Sequence, residues 1–112
     1  MRRNFYRRFY RCLPERDITL EELKQEQQKG AIIIDVRNNR EYQEGHINGS
    51  INIPEYEINQ SFIKIIENKN TPIVLYCSSG YRSLKAYRKL KTMGYTNVHN
   101  LCGGLANVDS IV

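Results

Sequence analysis

Two short runs constrain this chain most: residues 31–36, Ala-Ile-Ile-Ile-Asp-Val, and residues 73–76, Ile-Val-Leu-Tyr. Both are rich in β-branched or aromatic side chains and apolar on both faces, and turn residues precede them (Gly30, and Thr71-Pro72). A strand with one wet face alternates polar and apolar residues, whereas a strand covered on both faces does not. Helical spacing surrounds these runs. Thr19 with Glu22 reads as a capping box ahead of a helix over 20–28, which Gly30 stops. Asn38 or Asn39 opens a short helix through 40–43, closed by Gly45. Ile58, Phe62, Ile65 and Ile66 form a helical stripe, and residues 83–93 are predicted helical with Ala86, Tyr87, Leu90 and Met93 inward and Gly94 as the stop. Residues 17–19, 50–53 and 96–99 read as brief strands, and the chain past Gly103-Gly104 as a short tail. Strands alternating with helices imply an α/β domain whose parallel sheet is covered on both sides. In such sheets chemistry collects at the C-terminal strand ends.

A chain of 112 residues accommodates one core of this kind. Its net charge of +5 is uneven. Residues 1–17 carry six arginines against Glu15 and Asp17, while the remainder carries eleven basic and ten acidic side chains. The basic character therefore belongs to an arm, residues 1–16, and residues 17–112 form a nearly neutral domain. Phe5, Tyr6, Phe9, Tyr10 and Leu13 recur in the arm at helical spacing until Pro14. Three readings stay open: a helix packed on the domain, a polyanion-binding segment over residues 1–13 for acidic lipid or RNA, and a transit peptide. No apolar run approaches the roughly 20 residues that span a bilayer. The cysteines Cys12, Cys77 and Cys102 are odd in number and include no CxxC pair. That argues against a disulfide framework and a zinc site, and it favours a reducing cytoplasm.

Chemistry concentrates in Cys77-Ser78-Ser79-Gly80-Tyr81-Arg82-Ser83, which follows the second buried run and leads into a helix. Ser78, Ser79 and Gly80 leave backbone N–H groups uncovered. Such groups, with the positive end of a helix, form a nest for an anion. The same field favours the thiolate form of a cysteine placed in it. Arg82 adds a fixed cation with a bidentate donor fork. A cysteine at a strand end is more often a small buried hydrophobe; small residues and a cation arranged around it are hard to explain as packing. Asp35 reads as a structural carboxylate capping a turn or pairing with an arginine. His99 has no visible partner, and Cys102 reads as packing.

The loop resembles the active-site loop of rhodanese-like sulfurtransferases, whose single-domain form reads C-x-x-G-x-R-S. Upstream, Asp35-Val36-Arg37, Glu41-Tyr42, Gly45-His46-Ile47 with Gly49, and Asn52-Ile53-Pro54 are similar to a second family signature in order and spacing. Val98 to Leu101 with Gly103-Gly104 is similar to the closing segment. Asn48 and Ser50 depart from the usual proline and alanine, and the tryptophan usual after the glycine pair is missing. The arm lies outside the resemblance, which covers about residues 17–106.

The resemblance implies a three-layer α/β/α domain with a five-stranded parallel sheet ordered 3-2-4-5-1. It implies that Cys77 takes sulfur from thiosulfate or another sulfane-sulfur donor, forms a persulfide, and passes the sulfur to a thiol, cyanide or a protein by ping-pong kinetics. Arg82 would bind the donor's oxyanion. Ser78, Ser79, Gly80, Tyr81 and Ser83 would line the substrate, with Tyr81 at the rim and Ser83 also capping the helix. No metal or cofactor is implied, and His46 is implied to be a structural hydrogen-bonding residue. Two alternatives are weighed. Phosphatases of this fold space the cysteine and arginine by five residues, against four here, and the narrower loop suits sulfur better than phosphate. The other alternative is a non-catalytic persulfide carrier or protein-binding module of the same fold.

Overall fold

A computed structural model describes residues 12–108. Five strands, β1 (Asp17–Ile18), β2 (Ile32–Asp35), β3 (Ile51–Asn52), β4 (Ile73–Tyr76) and β5 (Val98–Leu101), form one sheet ordered β1-β5-β4-β2-β3. Every pairing is parallel. This is the order the resemblance implies, read from the opposite edge. Helices α1 (Leu20–Gln28), α2 (Asn39–Glu44), α3 (Phe62–Ile65) and α4 (Tyr81–Thr92) connect the strands. Single 3-10 turns lie at Glu55–Glu57 and Gly104–Asn107.

Alternation along the central strands splits the core in two. Ile34, Ile73, Leu75 and Cys77 join Phe62, Ala86, Leu90 and Tyr95 on the α3/α4 face. Ile33, Val74 and Tyr76 join Leu23, Ile47 and Leu101 on the other. Cys77, one residue past β4, therefore points toward the face on which α4 packs.

The expected capping box of Thr19 with Glu22 forms, and of the two candidate caps Asn38 is the one used, in a second capping box with Glu41. Several boundaries differ from expectation. α4 begins at Tyr81 because Gly80, at φ 98°, turns the chain two residues early. Ser83 consequently sits in the first turn and caps nothing. β5 runs two residues later than predicted, since its register is dictated by its neighbours: Ile73 opposite Val98, and Asp17 opposite Asn100. Thr96 instead lies ahead of the strand, its N–H bonded to Lys69 O. The apolar stripe yields only the one-turn α3. Ile58, Phe62 and Ile66 are buried, but Ile65 is 57% exposed.

The cysteine expectation is corrected. Cys12 and Cys102 form a disulfide with Cα atoms 5.7 Å apart, and Cys77 is the free cysteine. The odd count conceals one pair plus one thiol, and a pair separated by 90 positions leaves no local spacing signal. Disulfides persist in oxidising compartments, which sets the bond against the cytoplasmic expectation. The bond also holds the first described residues to the domain. Beside it, Leu13 N–H donates to Asp17 Oδ2 and Asp17 N–H to Leu13 O. Of the arm, residues 1–16, residues 1–11 lie outside the described part, and the three readings of the arm lie largely there. Among the described residues no helix is long and apolar enough to cross a membrane.

Candidate active site

Cys77 is 1% exposed. The chain wraps around its sulfur: Gly80 N–H donates to Sγ at 3.0 Å and Ser83 N–H at 3.3 Å. The Ser83 hydroxyl stands 3.4 Å from Sγ and 3.2 Å from Gly80 O. A hydroxyl carries one proton. Beside a thiol it accepts from sulfur and donates to Gly80 O; beside a thiolate it can turn and become a third donor to sulfur. Two N–H groups and one rotatable hydroxyl are thus available to a sulfur removed from water.

The loop is held from outside by the 3-10 turn after β5. Leu105 N–H donates to Cys77 O at 2.9 Å and Ala106 N–H to Ser78 O at 2.7 Å. Because a trans peptide is planar, fixing these two carbonyls directs the N–H groups of Ser78 and Ser79 to the opposite side. Gly104 allows the approach. It sits at φ 65°, and a Cβ there would lie 2.5 Å from Cys77 O and 2.7 Å from Ser78 C and O. These are backbone atoms and cannot swing aside. Gly104→Ala is expected to cost roughly 2–3 kcal/mol from left-handed strain plus overlap. It should also slow alkylation of Cys77 by displacing the loop, as thermal denaturation and iodoacetamide kinetics would reveal.

The remaining loop residues divide by exposure. Tyr81 is 81% exposed and Ser79 is exposed, so both face solvent, whereas Ser83 is buried against the sulfur. Arg82 does not present an empty fork. Its Nη1 lies 2.7 Å from Glu41 Oε1 and its Nη2 3.0 Å from Glu41 Oε2. Nη2 also stands 3.4 Å from Ser78 Oγ. The hydrogen-bonded Arg82 guanidinium holds the Glu41 carboxyl down at about 2, and Glu41 in turn raises Arg82.

Other polar groups tie the ends of β2 and β4 to the 45–50 loop. Asp35, at the end of β2, accepts from Arg37 N–H, Nε and Nη2, and Arg37 Nη2 also donates to Gly45 O. That carboxylate is therefore committed to an arginine. Asn52 Nδ2 donates to the carbonyls of Asp35 and Arg37. Tyr76 Oη receives Ile47 N–H and meets Ser50 Oγ, tying the 45–50 loop to the strand that delivers Cys77; burial raises this phenol to about 12. His46 stacks on Tyr42 with its Nδ1 2.7 Å from Tyr42 O. Among the described residues no group of His, Cys, Asp or Glu is arranged to hold a metal ion.

Sequence reasoning matched Glu41 and Gly104 to family motifs without giving either a role, and it missed Leu105 and Ala106. Glu41 carries a local signal as the third helical residue of a capping box, which does not point to Arg82. The other three act through backbone geometry, which side-chain identity reports only at the glycine.

An α/β sheet thus delivers a free, buried cysteine to two backbone N–H donors at the C-terminal end of β4. The Rhodanese-like domain profile matches residues 19–110, and the chain belongs to that family. It is 40% identical over 75 residues to the thiosulfate sulfurtransferase PspE of Escherichia coli (strain K12), covering 67% of this chain and 71% of that one. It is 33% identical over 81 residues to the tRNA uridine(34) hydroxylase of Buchnera aphidicola subsp. Baizongia pistaciae, covering 69% of this chain but only 26% of that protein. Among solved structures, a rhodanese with anions from E. coli superposes with a TM-score of 0.63 at 36% identity, covering 71% of this chain and 93% of that one. The human single-domain sulfurtransferase TSTD1 gives 0.70 at 27% identity, covering 81% and 92%.

Proposed function

We propose that this chain moves sulfane sulfur through a persulfide on Cys77. The observation that carries the reading is the pair of N–H groups, Gly80 and Ser83, aimed at the sulfur of the free cysteine. In the first half-reaction the Cys77 thiolate attacks the outer sulfur of a donor such as thiosulfate. A new S–S bond forms, the donor's S–S bond breaks, and its electron pair departs with sulfite. Cys77 is left as a persulfide anion. In the second half-reaction a nucleophile (cyanide, a thiol or a protein acceptor) bonds to the outer sulfur and the electron pair returns to Cys77. Cyanide leaves as thiocyanate, and the kinetics are ping-pong.

The N–H groups of Ser78 and Ser79, oriented by the Gly104–Asn107 turn, are positioned to solvate the terminal persulfide sulfur or the donor's oxygens. Arg82 meets the donor's oxyanion through donors that Glu41 leaves over. Tyr81 shapes the entrance, and Ser83 follows the charge on sulfur by rotating its hydroxyl.

A second reading makes the domain a persulfide carrier that discharges only to a partner. The match to about a quarter of a longer RNA-modifying protein supports it, since there the same kind of domain works as part of a larger chain.

Intact-mass spectrometry of the wild type and Cys77→Ser, after thiosulfate and again after cyanide, tests both. The transferase reading predicts one added sulfur atom on the wild type alone, released by cyanide as thiocyanate. Sulfur that loads but resists cyanide, yet leaves to a protein, would establish the carrier. Loading of Cys77→Ser, or a wild type that gains sulfur from neither thiosulfate nor a persulfide, would overturn the persulfide reading.

A further inference from the structure

Glu41 places a carboxylate beside a site built to receive anions. It is not a loose surface contact. Its backbone belongs to α2, its Oε1 also accepts Asn38 N–H at 3.1 Å, and its two oxygens face both terminal nitrogens of Arg82. The carboxylate is thus anchored from α2 and the guanidinium from α4. The two side chains are 28% and 36% exposed, which places the pair near the surface and not in the core. Arg82 Nη2 remains 3.4 Å from Ser78 Oγ, so the pair borders the loop that surrounds Cys77.

The charges of Arg82 and Glu41 cancel. What attracts an anion to the sulfur is then the set of backbone N–H groups and the N-terminus of the twelve-residue α4. Two of the five guanidinium N–H groups are spent on Glu41, and every negative charge on an incoming donor is repelled by the carboxylate that holds them. Repulsion scales with donor charge. A dianion meets twice the penalty of a monoanion, and a neutral sulfane-sulfur compound meets none.

We infer that Glu41 is a specificity-determining residue, which by neutralising Arg82 turns the site away from doubly charged donors and toward singly charged or neutral sulfane-sulfur donors. The inference rests on the sulfur-transfer reading for its substrate class, but the electrostatic effect at Cys77 holds for any reagent that approaches the sulfur.

Glu41→Gln separates the two. Glutamine serves at the third position of a capping box as glutamate does, so α2 keeps its start. With cyanide fixed, KM and kcat are measured for thiosulfate, a dianion, and benzenethiosulfonate, a monoanion. At a separation of a few ångströms in a largely aqueous mouth, one charge removed is worth about threefold per unit of donor charge. The variant should therefore lower KM for thiosulfate by roughly tenfold and for benzenethiosulfonate by about threefold. KM should move more than kcat, and the gap between donors should shrink in high salt. If Glu41 only anchors Arg82, KM rises for both donors alike; that result, or an unchanged donor ratio, overturns the inference.

Alkylation of Cys77 gives a readout independent of turnover. Glu41→Gln should raise the rate with anionic iodoacetate relative to neutral iodoacetamide by about threefold. A wild type that neither turns over nor takes sulfur from either donor by intact mass, while the alkylation ratio shifts, would sink the sulfur-transfer reading and leave the electrostatic role standing. An unshifted ratio would remove that role whatever the turnover.

Discussion

Reducing the Cys12–Cys102 bond is expected to lower the free energy of unfolding by about 4–5 kcal/mol, the chain-entropy value for a loop of this length. The bond closes a separation of 90 residues, nearly the whole described chain, so its loss frees an unfolded ensemble that had been tied almost end to end. Domains of this size have only about 5–15 kcal/mol to lose. The bond also joins Cys12 to the residue just before Gly103 and Gly104, at the start of the turn that holds the Cys77 carbonyl. Urea titrations of the wild type with and without a phosphine reductant, beside the Cys12→Ser/Cys102→Ser double variant, check this. The oxidised wild type should unfold at a clearly higher urea concentration than the reduced wild type or the double variant, and reductant should not move the variant. Coincident midpoints for all three would show that the bond contributes nothing to stability.

Asp35→Ala is expected to cost roughly 3–5 kcal/mol, the penalty for leaving one member of a buried ion pair behind. Asp35 is fully buried and Arg37 is 7% exposed. Without the carboxylate, the guanidinium keeps a hydrogen bond to Gly45 O but loses its counter-charge. Arg37 N–H loses its acceptor as well. Replacing both partners by apolar residues, Asp35→Leu with Arg37→Met, should restore part of the loss, since no charge is then stranded. Thermal denaturation of the single and double variants decides. A single variant within about 1 kcal/mol of wild type would mean that water reaches the pair and screens it as it does surface pairs.

Both effects turn on contacts of very different reach along the chain, and legibility in the sequence followed that reach. Features made by near neighbours were readable. The capping box from Thr19 to Glu22 spans four residues, and the start of α2 was legible to within one residue, at Asn38 or Asn39. The central strands β2 and β4 announced themselves because burial on both faces demands an unbroken apolar run. The loop from Cys77 to Ser83 was readable because seven consecutive residues hold the sulfur, its N–H donors and the cation. The family resemblance supplied the strand order, which periodicity alone did not contain.

The pairings across the fold were not readable. Arg82 was expected to offer its fork to substrate, yet 41 positions away Glu41 already occupies it. Cys102 read as packing, and no local spacing linked Cys12 to it. The N–H groups of Leu105 and Ala106 belong to every sequence alike and become specific only when the turn after β5 lies against the loop. The boundaries that moved did so for the same reason. β5 took its register from β4 and β1, and Ile65 was turned outward once its helix proved a single turn.

By itself, then, the amino-acid sequence determined the two central strands, the capped starts of α1 and α2 and a cysteine set among small residues, because propensity, capping and burial pattern act over a few residues. Only the tertiary structure decided which charge meets Arg82, which thiols are joined and what braces the loop. Those outcomes depend on segments far apart in sequence whose meeting is settled by packing of the whole sheet.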